Sequence, residues 1–212
     1  PEAIFRSTNL SSSSFDKIDY QQYTAISIGP GIGQAKTMAV FLKTLLISQN
    51  KPIVLDADAL NIISKNPEFL NYIPQNSILS PHPKEFERLF GNCENGYTRI
   101  KKANEMAVKL GLVIVLKGAH TMIALPGGQL IFNSTGNSGM ATAGTGDVLT
   151  GIISGLLTQG YLPENTAKLG VYLHGLAGDL ALTEQSEESL IAGDIIDFIG
   201  KAFKEIASNS AD

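Results

Sequence analysis

Short apolar runs alternate with segments of helical periodicity along most of this 212-residue chain. TAISIG (24–29), PIVLDAD (52–58), SILS (77–80) and VIVLKG (113–118) are compact apolar stretches. Runs of this length, with no polar alternation and with turn signals at their ends, predict strands buried on both faces. Between them, 34–49 sets Met38, Leu42, Leu45 and Leu46 at helical spacing. Residues 59–72 predict short helical pieces, with Pro67 as a start signal. KEFERLF (84–90) predicts a helix stopped by Gly91, and 98–110 aligns Ile100, Ala103, Met106, Ala107 and Leu110 on one face. TMIALPGGQLIFN (121–133) predicts two strands around a Pro-Gly-Gly turn. Three more helices are predicted, over 147–159, about 164–183 and about 191–206.

Strands alternating with helices imply βαβ units and a mostly parallel sheet covered on both faces. Ligands of such sheets sit beyond the carboxyl ends of the strands. Several chemically informative positions fall there: Pro30 to Gly33, Asp56, Asp58, Ser80 to Pro83, Lys117 and Gly118.

Composition narrows the picture. The chain is 43% hydrophobic, enough for one core at this length. Its net charge of −4 leaves no basic surplus for nucleic acid, although a local positive pocket can still hold a small anion. Cys93 is the single cysteine, which rules out an internal disulfide and suits a reducing compartment, so a cytoplasmic location is expected. No run of about 20 apolar residues predicts a membrane span. The opening PEAIFRSTNLSSSS does not read as a secretory signal, and Ser11 to Ser14 reads as a loop. Histidines 82, 120 and 174 lack metal-site spacing.

The stretch NSGMATAGTGDVL (137–149) carries the most chemistry. A helix opening near Asp147 or Val148 offers unpaired N–H groups and a partial positive charge. Glycines 144 and 146 would let a phosphate approach the backbone. Below, Val148, Leu149, Ile152, Ile153 and Leu156 would pack inward, with Gly151 and Gly155 allowing close helix–sheet contact. The stretch is not a P-loop, because Thr145-Gly146 stands where Lys-Ser/Thr would be, so the anion hole has a carboxylate and no lysine of its own. Asp147 is then either a helix cap or a general base that takes a proton from a hydroxyl attacking a terminal phosphate.

NSGMATAGTGDVLTGIISGLLTQG resembles the anion-hole motif of the ribokinase-like superfamily. SIGPGIGQ (27–34), PIVLDADALNII (52–63), ILSPHPKEFERLFG (78–91), VIVLKGAHTMIA (113–124) and HGLAGDLA (174–181) follow in the order of the ADP/ATP-dependent NAD(P)H-hydrate dehydratases. The resemblance implies a ribokinase-like three-layer αβα sandwich. It implies a hydro-lyase that repairs NADHX or NADPHX, using ADP or ATP as phosphoryl donor with Mg2+. Asp147 would be the base beside the hydrated ring. Asn137, Ser138, Gly139, Met140, Ala141, Thr142, Ala143, Gly144, Thr145 and Gly146 would hold nucleotide phosphates. Lys117, Gly118, Ala119, His120 and Thr121 would line the adenine nucleotide. Gly31 and Gly33, with His82, Pro83, Lys84, Glu85, Phe86, Glu87 and Arg88, would hold the hydrated dinucleotide. A homo-oligomer and an epimerase partner or fused domain also accord with the resemblance.

The residues keep other readings open. Lys117 could be a snorkelling strand-end residue, His82 a structural turn residue, and Asp56 and Asp58 caps for the next helix. His174 and Asp179 read as packing and capping groups, and Glu184, Glu187 and Glu188 as a solvated charge run. A hydroxyl kinase of the same superfamily, or a non-catalytic adenine-nucleotide-binding module, would carry similar segments. The resemblance further implies an opening strand, glycine-rich turn and helix that do not precede Pro1, so one N-terminally incomplete domain over 1–212 is expected.

Overall fold

The computed structural model describes residues 20–209; the expected Ser11–Ser14 loop lies outside them. Six strands, β1 (Ile26–Ile28), β2 (Ile53–Leu55), β3 (Ile78–Leu79), β4 (Val113–Leu116), β5 (Met122–Ala124) and β6 (Leu130–Phe132), form one sheet in sequential order. β1 to β4 pair in parallel, with Ser27 opposite Val54, Leu55 opposite Leu79, and Leu79 opposite Ile114. β5 and β6 add on antiparallel as the predicted hairpin, closed by Leu125 N–H donating to the Gln129 carbonyl at 2.9 Å. The apolar runs contribute two to four residues of strand each, and the residues after β1 to β4 leave the ladder at its carboxyl end.

Strand residues alternate between two cores, as a pleated sheet requires. On one face Ile53 and Leu55 meet Met38, Leu42, Leu45 and Leu46 of α1 (Lys36–Ser48) and Leu60 and Ile63 of α2 (Ala57–Lys65). Farther along that face, Ile114 and Leu116 meet Phe86 of α3 (Pro83–Phe90) and Ala103 and Ala107 of α4 (Gly96–Leu110). On the other face Val54, Val113 and Val115 meet Leu149 and Ile153 of α5 (Thr145–Thr158) and Val171 of α6 (Pro163–Ala181). A third core joins α5 and α6 to α7 (Ala192–Asn209) through Leu156, Leu173, Ala177, Ile195 and Phe198. Helices thus lie on both faces of a mostly parallel sheet, as the periodicity implies. Among the described residues no helix is long and apolar enough to cross a membrane.

Two expectations change. α5 opens at Thr145, not at 147 or 148, because Gly144 turns the chain in the left-handed region (φ 89°) and Thr145 ties the start down. Its hydroxyl donates to the Met140 carbonyl at 2.9 Å and lies 3.0 Å from that of Thr142. Gly151 and Gly155 do not serve close packing: both are exposed, and a Cβ at either would meet nothing within 4 Å. The glycine that is tight against α5 is Gly170 on α6, where a Cβ would stand 3.0 Å from the Ile153 side chain.

Candidate active site

The site is built at the carboxyl ends of β1 to β4. Leu55 runs directly into Asp56, whose φ of −140° is extended, and then into Ala57 at φ 46°, a left-handed value unusual for a residue with a side chain. This turn swings the Asp56 carbonyl against Gly29, where any Cβ would collide with it. The Asp56 side chain is 1% exposed and fully engaged. Oδ1 accepts from Ala57 N–H at 2.8 Å and from Lys117 Nζ at 2.7 Å. Oδ2 accepts from the Thr150 hydroxyl at 2.7 Å. Asp56 therefore caps α2, as one sequence reading has it, but it also binds a cation from the end of β4.

That cation fills the gap in the glycine-rich stretch. Lys117 Nζ lies 3.4 Å from the position of a Cβ on Gly146, the second residue of α5. The helix start thus does have a lysine, delivered by another strand rather than by its own loop. A helix N-terminus and an ammonium group converge on one spot, which favours an anion there. Asp147 is the third residue of α5, so the N-cap reading falls: Gly144 holds that place. Asp147 is exposed.

The segment before α5 is held down by α6. Asp179 accepts from Gly136 N–H at 2.8 Å and from Asn137 Nδ2 at 3.0 Å. His174 Nε2 lies 2.9 Å from the Thr145 carbonyl; as the partner is a carbonyl, this nitrogen carries the proton. Burial, against the Thr145 hydrogen bond and with the Lys117 charge, lowers the His174 pKa to about 4. Gly178 admits the Met140 sulfur where a side chain would collide. His174 and Asp179 are thus not general packing groups but ties to the segment that leads into α5. Glu187, read as part of a solvated run, accepts from the Ser138 hydroxyl, and Glu184 pairs with Lys201 at 2.9 Å.

His82 caps α3. Its Nδ1 accepts from Lys84 N–H at 3.2 Å and Glu85 N–H at 3.4 Å, while Glu85 Oε2 accepts from His82 N–H at 2.9 Å. His82 Nε2 stands 3.2 Å from Glu85 Oε1. Burial lowers the His82 pKa; Glu85 opposes this, and the Lys117 and Arg88 charges add to it. Asp58 does not cap a helix. It accepts from Gly33 N–H and Gln34 Nε2, both at 2.9 Å, and so fixes the PGIG loop after β1. Arg88 donates to Asn61 Oδ1 at 2.7 Å.

A family model described as NAD(P)H-hydrate dehydratase matches residues 1–201. The chain belongs to that family. A bifunctional NAD(P)H-hydrate repair enzyme from Moorella thermoacetica is 44% identical over 176 residues, covering 82% of this chain and 33% of its own length. The solved ADP/ATP-dependent NAD(P)H-hydrate dehydratase from Bacillus subtilis, co-crystallized with ATP/Mg2+ and soaked with CoA, superposes with a TM-score of 0.78 at 33% identity. That match covers 92% of this chain and 71% of the solved one. A ribokinase-like superfamily protein from Enterococcus faecalis superposes at 0.69 with 28% identity, over 91% of this chain and 66% of its own. The fold is therefore ribokinase-like. The chain spans about a third of the length of the bifunctional relatives it matches.

Not every residue expected at the site is exposed. Phe86 is fully buried, its ring 5.0 Å from that of Phe90, so it supports α3 from below and offers no contact surface. Glu87 is paired with Arg99, 2.6 Å from Nη2 and 3.1 Å from Nε, which ties α3 to α4. Gly139 is buried against the Glu187 backbone, where a Cβ would stand 2.7 Å from the carbonyl oxygen. Gly31, Gly33, Lys84, Arg88, Gly118, Ala119, His120, Ser138, Ala141, Ala143 and Gly144 are exposed; Pro83, Thr121, Asn137, Met140 and Thr142 are partly so. Sequence reasoning missed Thr150, which is buried one turn below Gly146. It carries no motif signal, because its partner Asp56 lies 94 residues away. It also missed an apolar cleft of about 610 Å³ between α5 and α7, lined by Gly151, Ile152, Gly155, Ile196, Ile199 and Phe203, with Asp147 and Gly144 at one end.

Proposed function

We propose that this chain, acting as one ribokinase-like domain, dehydrates the hydrated form of NADH or NADPH with ADP or ATP as phosphoryl donor. The observation that best supports this reading is the meeting of Lys117 Nζ with the α5 backbone at Gly146, one residue before the exposed Asp147. Such a place suits a terminal phosphoryl group, with a base beside it for an incoming hydroxyl.

In the proposed reaction the ring hydroxyl gives its proton to Asp147 as its oxygen attacks the donor's terminal phosphorus. The phosphorus–oxygen bond to AMP, or to ADP when ATP is the donor, breaks. The ring carbon–oxygen bond then breaks with phosphate departing, driven by the lone pair of the ring nitrogen. A neighbouring ring carbon loses a proton and the double bond returns. Hydroxide would leave poorly from this ring, whereas phosphate leaves well. The protein's part is to hold the hydroxyl, base and phosphorus in line and to offset developing charge.

The expected residues divide by position. Lys117 to Thr121, with the exposed members of 137–146, would face the nucleotide. The PGIG loop and the exposed α3 residues Lys84 and Arg88 would face the hydrated dinucleotide. Among the described residues no three His, Cys, Asp or Glu side chains come together to hold an ion, and both Asp56 oxygens are occupied by donors. In this reading Mg2+ arrives on the nucleotide phosphates and draws few ligands from the protein.

Incubation with ADP and hydrated NADH tests the reading. The near-ultraviolet absorbance of the reduced ring should return with one phosphate released per turnover. Asp147→Asn should keep ADP affinity and lose turnover on the order of 10²-fold or more. Accumulation of a stable phosphoester would instead make the protein a kinase.

A further inference from the structure

The Asp56–Lys117 pair is more constrained than a stabilising ion pair needs to be. Asp56 is enclosed, yet its donors come from three separate elements: Ala57 of α2, Lys117 after β4 and Thr150 of α5. Lys117 keeps 20% of its side chain exposed while its partner keeps 1%. Ion pairs taken out of water gain little net stability, because desolvation offsets the attraction, so geometry is the more informative property here. An ammonium has three donors, and Asp56 engages one of them. A Cβ on Gly146, at the helix start, would stand 3.4 Å from the same nitrogen.

Resting on the phosphoryl-transfer reading above, we infer that Asp56 and Thr150 are positioning residues that hold the Lys117 ammonium on the phosphoryl group in transit. Thr150 lies one helical turn below Gly146. Its hydroxyl fixes Asp56 Oδ2, which leaves Oδ1 turned to Lys117. The lysine is thereby registered to the same helix whose N–H groups receive the phosphate. Asp56 holds the ammonium in place through Oδ1. Its own charge stays covered by three donors, so it does not repel the arriving anion. Lys117 supplies from β4 what a P-loop lysine supplies from its own loop.

The test uses the 212-residue protein and the variants Lys117→Met, Asp56→Asn, Thr150→Val and Thr150→Ser, each checked for a cooperative melt. Turnover of hydrated NADH is followed against ADP concentration and against hydrate concentration. Lys117→Met should lower kcat on the order of 10²-fold or more, the usual loss for one preorganised charge-stabilising donor. Thr150→Val should lower kcat on the order of 10-fold, with KM for the hydrate unchanged, and Thr150→Ser should restore it. Asp56→Asn should likewise lower kcat on the order of 10-fold with KM for the hydrate unchanged. Adding Thr150→Val to Lys117→Met should cost nothing further. Wild-type kcat in both folded Thr150→Val and folded Asp56→Asn would overturn the inference, as would fully multiplicative losses in the double variant. Should the wild-type protein turn over no hydrate, the reaction reading fails by itself, and ADP affinity by calorimetry then judges Lys117. Wild type should bind about 10-fold more tightly than Lys117→Met, with Thr150→Val between them; equal affinity would reject the assignment.

Discussion

At the scale of single residues, the site separates groups by the charge they must carry. Asp56 is anionic but covered, Lys117 is cationic and partly exposed, and His174 is held neutral. The His174 ring donates to the Thr145 carbonyl at the first residue of α5, and burial lowers its pKa from 6.5 to about 4. The sign of the consequence follows. The unfolded chain takes up a proton at this ring as pH falls through 6.5, whereas the folded chain does so only near 4. Folding stability is therefore full above the unfolded value and declines between the two, by about 3 kcal/mol at most. Chemical denaturation across that range should show the decline in the wild-type protein and a flatter curve in His174→Gln, whose amide can still donate to Thr145. Equal slopes would mean that the ring is already protonated when folded.

At the scale of elements, α5 joins three tasks in fourteen residues. Its first turn approaches Lys117, Thr150 bonds Asp56 at the sheet end, and Leu149, Ile153 and Leu157 fill the core on the β-sheet face. Much of this was legible in the sequence, because apolar periodicity reports a buried face. The helix start was not legible. It depends on a left-handed Gly144 and on a hydroxyl that reaches back to Met140, neither of which alters the periodicity. The roles of the glycines were misread for a related reason. Spacing puts Gly151 and Gly155 on one face, but only tertiary packing tells whether that face is covered. The two kinds of glycine should respond oppositely to alanine. Gly170→Ala must push a methyl against Ile153 and should cost about 1–3 kcal/mol. Gly151→Ala faces open space on a helix and should gain about 0.5–1 kcal/mol. Melting temperatures of the two variants decide the matter; a stabilising Gly170→Ala or a strongly destabilising Gly151→Ala would contradict the assigned packing.

At the scale of the whole molecule, the sheet is the device that gathers the site. Parallel pairing of β1 to β4 brings Gly29, Asp56, Ser80 and Lys117 to one edge, although they span 89 positions of chain (29 to 117). The order of strands could be read from apolar runs, so the neighbourhood was legible in advance. The contacts within it were not. Lys117 and Gly146 belong to separate motifs, and Asp56 and Thr150 carry no shared pattern; only the folded sheet and α5 together bring them within reach. Likewise Phe86 lies in a stretch that resembles a binding motif, but the helical turn sends it into the core between α3 and α4. A motif identifies the segment, and burial decides which of its residues can touch a ligand.

The central claim is that the substrate's own hydroxyl oxygen attacks the nucleotide's terminal phosphorus beside Lys117 and Asp147. Hydrated NADH carrying heavy oxygen in the ring hydroxyl tests it directly, by mass spectrometry of the phosphate released with unlabelled ADP in ordinary water. The account predicts one heavy oxygen in each phosphate formed. Unlabelled phosphate, with the heavy oxygen lost to water, would contradict it.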